Sequence, residues 1–164
     1  MKFKGGKMLN LRKRMNASLL MVVILVFFLT GCSNNKINTV KTESGFDVPI
    51  VEVKNKDNKI EIARAVFKEY LKLTYENYIN DKGEKVNILK DYKINNINIL
   101  ESLESEGYRV EIAYDLQSIN GYVTVFETGN GEVKDENWVK GKYQIIDIKK
   151  IDENKYTISD MYTG

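Results

Sequence analysis

The 164-residue chain contains no histidine, one cysteine, one proline and one tryptophan. Without histidine, Ser-His-Asp and Cys-His nucleophile systems in their usual form are excluded, as are histidine-ligated zinc sites. With Cys32 alone there is no intrachain disulfide, so the core must hold the fold. Acids are missing from the first 42 residues, the first being Glu43, whereas six basic residues (Lys2, Lys4, Lys7, Arg12, Lys13 and Arg14) precede residue 19. Long apolar runs are also lacking. The longest, Leu19 to Leu29, has eleven residues; as a helix it would span about 16 Å, short of the roughly 20 residues that cross a bilayer.

A basic segment, a short apolar run and then Thr30-Gly31 form the pattern of a secretory signal. The sequence Leu29-Thr30-Gly31-Cys32 closely resembles the lipobox of bacterial lipoproteins. That resemblance implies cleavage between Gly31 and Cys32 and a diacylglycerol on the Cys32 thiol. The membrane is then a partner through that lipid, with the protein on the extracytoplasmic face. One acyl chain gives only marginal binding at about 0.8 kcal/mol per buried CH₂, so two are needed for stable anchoring. An uncleaved anchor is the alternative, disfavoured by the shortness of the run. Met1, Met8 and Met15 each leave a workable basic segment, so the start stays open. The abundance of Asn, Lys and Ile reads as an AT-rich Gram-positive genome.

Removing residues 1–31 takes six bases and no acid from the 25 and 23 of the chain, leaving a net charge of −4. The basic pI therefore belongs to the export signal, and no nucleic-acid partner is expected. The remaining 133 residues suit one domain, able to bury roughly two-thirds of its unfolded surface. The reading divides the chain into a signal peptide over 1–31, a lipidated N-terminus and flexible tether over 32–56, and an α+β domain over 57–164. Phe46 to Val53 holds the only proline, Pro49. It is either an extended segment packing on the domain or the end of the tether; proline argues against a central strand.

Asn58-Lys59-Ile60-Glu61 has capping-box spacing. Ala63, Val66, Phe67, Tyr70, Leu71, Thr74 and Tyr78 then follow a 3.6-residue period, predicting a long helix over Asn58–Ile79 that ends at Asn80–Gly83. Strands are predicted over Lys93–Glu104, Tyr108–Gln117, Tyr122–Thr128, Trp138–Lys150 and Tyr156–Tyr162, with Asn120-Gly121 as a type I′ hairpin turn. One long N-terminal helix packed on a bent antiparallel sheet of about four to six strands gives an α+β, cone-like or cystatin-like fold. The tethered helix, DYKINNINIL and the closing WVKGKYQIIDIKKIDENKYTISDMYTG resemble small Gram-positive lipoproteins of the cone-shaped nuclear-transport-factor-2-like, or SnoaL-like, fold. Enzymes of that fold often use a His/Asp pair. With no histidine here, the resemblance implies a fold and no particular activity.

The predicted hairpin sets Tyr114 opposite Glu127 on the apolar face, a candidate ligand pocket in which burial would raise the carboxyl pKa; the plainer reading has Glu127 reaching solvent. In the last hairpin, a two- or four-residue turn sets Asp147 opposite Asp160, able to share a proton or hold a hard cation. A three-residue turn places Ile148 opposite Ile158 instead, and is preferred because facing like charges destabilise a sheet. Glu132, Asp135 and Glu136 read as a solvated acidic loop without the spacing of an EF-hand. No catalytic constellation, metal site or cofactor is expected. The favoured function is a non-enzymatic binding or accessory domain of the cell envelope, with an envelope protein or a small ligand as partner. The alternatives are an isomerase-like cone enzyme using Glu127, Tyr114 or the two aspartates, and an assembly component of a secretion or cell-wall machine.

Overall fold

The computed structural model describes residues 37–162 apart from Lys56, Ser105, Asn120, Thr128 and Glu136. The signal peptide, Gly31 and Cys32 lie outside the described residues. In chain order the elements are β1 (Thr39–Lys41), β2 (Asp47–Pro49), β3 (Val51–Glu52), α1 (Lys59–Tyr75), β4 (Tyr78–Ile79), β5 (Lys85–Val86), β6 (Leu89–Leu103), β7 (Gly107–Ser118), α2 (Val123–Glu127), β8 (Glu132–Lys134), β9 (Trp138–Asp152) and β10 (Lys155–Tyr162). The architecture is α+β. A curled antiparallel sheet of order β3-β10-β9-β7-β6, with β8 also on β9, carries the helices.

The sheet is two-faced because β7 alternates. Tyr108, Val110, Ile112, Tyr114 and Leu116 are buried on one side, against Ile62, Ala63, Val66, Phe67 and Leu71 of α1. The facing side carries Arg109, Glu111, Asp115 and Gln117. Phe67 meets Tyr114 edge-on at 4.9 Å between ring centroids. Burying such a ring contributes more than its area alone when the geometry is T-shaped.

The helix starts where its cap predicts. Asn58 Oδ1 accepts from the backbone N–H groups of Ile60 and Glu61 at 3.1 and 3.2 Å. The Glu61 carboxylate accepts from Asn55 Nδ2 at 2.9 Å. At its other end α1 stops at Tyr75, earlier than the predicted Ile79, and is 17 residues long. Asn77 Nδ2 donates to the Leu73 carbonyl at 2.9 Å and closes the last turn. Tyr78 and Ile79 then pair with Val86 and Lys85. The Asn80 side chain accepts from the N–H groups of Lys82 and Glu84, and Gly83 supplies the positive φ (76°) that this turn requires. Asn80–Gly83 is therefore the turn of a small hairpin.

The predicted strand over Tyr122–Thr128 is corrected to a helix over Val123–Glu127. After Ser118 the chain leaves the sheet. Ser118 N–H donates to the Asn137 carbonyl and Ile119 N–H to that of Ile88, and β9 takes the place beside β7. Phe126 of α2 is buried edge-on against Tyr75, 4.8 Å away. One turn of apolar sequence is too short for its period to separate helix from strand.

Residues expected within the tether are also structured. β1 pairs with β2 and β3 with β10, while Val48 is fully buried. The proline sits where its missing N–H costs nothing. Pro49 closes β2 against a three-residue outer strand, and its carbonyl accepts from Thr157 Oγ1 at 2.8 Å.

Candidate functional site

Tyr114 and Glu127 do not meet. Tyr114 faces Ile94 on β6 and Lys142 on β9, and burial pushes its phenol well above the ordinary range, with Tyr75 and Tyr70 adding to the shift. Glu127 ends α2 and is exposed. The pocket expected from their pairing is therefore corrected. The space under the curled sheet is occupied by Phe67, Leu71, Tyr114, Leu116 and Phe126, all buried.

The last hairpin realises both registers considered for it. Its turn has two residues, Glu153 and Asn154, so Lys155 pairs with Asp152. A bulge at Ile151 shifts the pairing so that Ile158 faces Ile148, and a second at Ser159 restores the original sum, placing Asp160 opposite Asp147. The two carboxylates take different main partners. Asp147 is engaged by Arg109 in a bidentate pair, with Nε to Oδ1 at 2.7 Å and Nη2 to Oδ2 at 2.9 Å. Tyr162 Oη donates to the same Oδ2 at 2.9 Å. Asp160 Oδ1 instead accepts from Met161 N–H at 2.8 Å and Ser44 Oγ at 3.0 Å. Those two bonds, with smaller contributions from Tyr162 and Arg109, hold the Asp160 carboxyl below its usual range.

Arg109 was not among the residues singled out from sequence, yet it is the hub of this face. Its Nη1 donates to Glu101 Oε1 at 2.6 Å, and its guanidinium lies over the Tyr162 ring at 4.6 Å. One arginine thereby joins β6, β7, β9 and β10. Its bond to Asp147 raises its already high pKa, and the Asp147 bond likewise raises that of the Tyr162 phenol. The arrangement satisfies both Asp147 oxygens and links four strands. Arg109 is the only cation on the outward side of β7, but its partner is visible only once β9 is known to lie beside β7.

Lys142 is a second missed residue. It is 4 % exposed and Nζ donates to the carbonyls of Phe126 at 2.7 Å and Asn130 at 2.6 Å. Burial lowers its pKa. In the acidic loop, Glu132 pairs with Lys134 and Asp135 with Lys140. No group of three or more His, Cys, Asp or Glu side chains placed to hold a metal exists among the described residues.

Two clefts have features of a binding surface. One, of about 310 Å³, lies by the start of α1 and contains Lys59, Ser102, Glu106, Tyr108 and Lys150. Its charged groups have partners within it: Lys150 pairs with Glu106 at 2.6 Å, and Lys59 Nζ donates to the Ser102 hydroxyl at 3.4 Å while lying over the Tyr108 ring. The other, of about 280 Å³, lies at the opposite end of α1, between the β4–β5 hairpin and α2. Tyr78 and Tyr122 meet there edge-on at 6.3 Å, with Asn80, Asp81 and Lys82 as a polar rim. Beside these tyrosines in sequence, Ile79 is 57 % exposed, and Ile119 is 38 % exposed. This second cleft is the candidate functional site. Comparison with family models, curated proteins and solved structures returns no match for the chain.

Proposed function

We propose that this chain is a membrane-anchored, extracytoplasmic lipoprotein whose folded domain is a non-enzymatic binding or accessory module of the cell envelope. The anchor rests on Leu29-Thr30-Gly31-Cys32 behind its basic and apolar segments. What carries the binding reading is one contrast: the inner side of the sheet is filled, while an open cleft at Tyr78 and Tyr122, both half-buried against the core, lies beside the exposed Ile79. Tyrosines with a polar rim and neighbouring exposed isoleucines have the anatomy of a protein-docking surface. Of the carboxylates named for an enzymatic reading, Glu127 is exposed at the end of α2, Asp147 is held by Arg109 and Tyr162, and Asp160 by Ser44 and the backbone.

The test compares two sets of variants in the native host. Ile79→Asp with Tyr122→Ala should abolish the cellular phenotype of the protein while leaving its melting temperature within a few degrees of the parent. Asp160→Asn should leave that phenotype intact. The reverse pattern, with function lost in a folded Asp160→Asn protein and kept in the cleft variant, would move the reading to carboxylate chemistry.

A further inference from the structure

The N-terminal hairpin is fastened to the fold. Ile50 N–H donates to the Asn38 carbonyl at 2.8 Å, Thr39 pairs with Pro49, and Val48 is fully buried. The hairpin is tied to β10 by Thr157 Oγ1 on the Pro49 carbonyl at one point and by Ser44 on Asp160 at another. From residue 38 onward the chain is thus part of the domain. Cys32 and Ile37 are five residues apart, and even a fully extended chain covers only about 3.6 Å per residue, giving a reach of at most about 18 Å.

A domain of this length is roughly 35 Å across, from its expected radius of gyration. A leash of half that breadth does not let the opposite side turn to the lipid. We infer that the β1–β2 hairpin is the lipid-facing edge of the domain, seated on the bilayer surface, and that the Tyr78–Tyr122 cleft is presented away from it. This rests on lipidation of Cys32 as proposed above. On the hairpin, Val40 and Phe46 are 39 % and 54 % exposed, and the charge of Lys41 is matched by Asp47 at 3.2 Å. With Glu43 also exposed between the two strands, the hairpin offers apolar side chains and no net positive charge, so the contact does not need anionic lipid. The base of the hairpin lies toward the start of α1, because Thr157, which holds Pro49, follows Tyr156 of the cleft at Lys59, whereas Ile79 lies beyond the C-terminus of that 17-residue helix, which alone extends for about 25 Å.

The experiment uses the full, host-acylated protein reconstituted in phosphatidylcholine vesicles containing spin-labelled lipid. Acylated Cys32 is blocked, so a fluorophore attaches at one added thiol, Val40→Cys or Ile79→Cys, both at exposed positions. Several-fold stronger quenching at position 40 is expected, and a 20-residue Gly/Ser insertion between Lys36 and Ile37 should erase the difference. Equal quenching at the two positions, or stronger quenching at position 79, in acylated and vesicle-bound protein overturns the seating while leaving the anchor intact. Protein recovered without acyl chains overturns the lipoprotein reading, and the seating with it.

Discussion

At the scale of single residues, the aspartate pair shows how a sheet accommodates facing like charges. Direct opposition of two carboxylates destabilises a sheet, and here Arg109 neutralises one while a serine hydroxyl and a backbone N–H hold the other. Removing a carboxylate from the arginine leaves a half-buried guanidinium without its bidentate partner, whereas Asp160 lies at the rim of the network. Asp147→Asn should therefore lower the melting temperature more than Asp160→Asn does, by thermal denaturation at pH 7. The acid limb separates them further. The Asp160 carboxyl is depressed in the folded protein, so its contribution is present above the unfolded carboxylate range near 3.9 and is lost as pH falls through the lower folded value. Asp160→Asn should flatten the loss of stability below about pH 4; an unchanged acid limb would contradict that. In the sequence, the alternation of Tyr108, Val110, Ile112, Tyr114 and Leu116 with polar residues puts Arg109 on the polar face of its strand. The partner was hidden because it depends on β9 replacing residues 122–128 as the neighbour of β7.

At the scale of elements, most of what periodicity and capping carry was legible, and most of what tertiary neighbours decide was not. The Asn58 cap and the stripe through Phe67 and Leu71 placed α1 on the inner side of the sheet, as the structure has it. Its end was missed because the closing bond comes from the side chain of Asn77. Phe67→Ala empties a fully buried site between α1 and β7 and should cost about 3–5 kcal/mol by denaturant unfolding. The α2–β8 loop depends on Lys142, whose ammonium holds the Phe126 and Asn130 carbonyls. A lysine in an alternating strand reads from sequence as solvated, since nothing local reveals the carbonyls that surround it. Gly131 packs against this lysine with φ at 102°, and an added Cβ would lie 2.7 Å from Lys142 Cγ and 2.9 Å from Val139 Cγ1. Gly131→Ala should destabilise the protein by roughly 1–3 kcal/mol from the backbone conformation alone. A neutral effect would show that the loop detaches from Lys142 without cost.

At the scale of the whole molecule, the account separates two jobs along the chain. In the proposed reading the first 31 residues direct export and Cys32 anchors, while the domain offers a filled core with an aromatic cleft on its surface. Within the tether expected over 32–56, residues from 38 onward are structured, and the segment 46–53 takes the extended, domain-packed form that is one of its two readings, because β1 and β2 pair with each other and β2 and β3 meet β10. Polar composition indicates solvation, and a two-stranded edge hairpin is solvated on one side as well. The claim on which the rest depends is the lipid on Cys32, and its most direct test is the mass of the N-terminal peptide of protein extracted from host membranes. The account predicts a peptide beginning at Cys32 and carrying a diacylglycerol, absent from Cys32→Ala. A mature peptide containing an unmodified Cys32 thiol would contradict it.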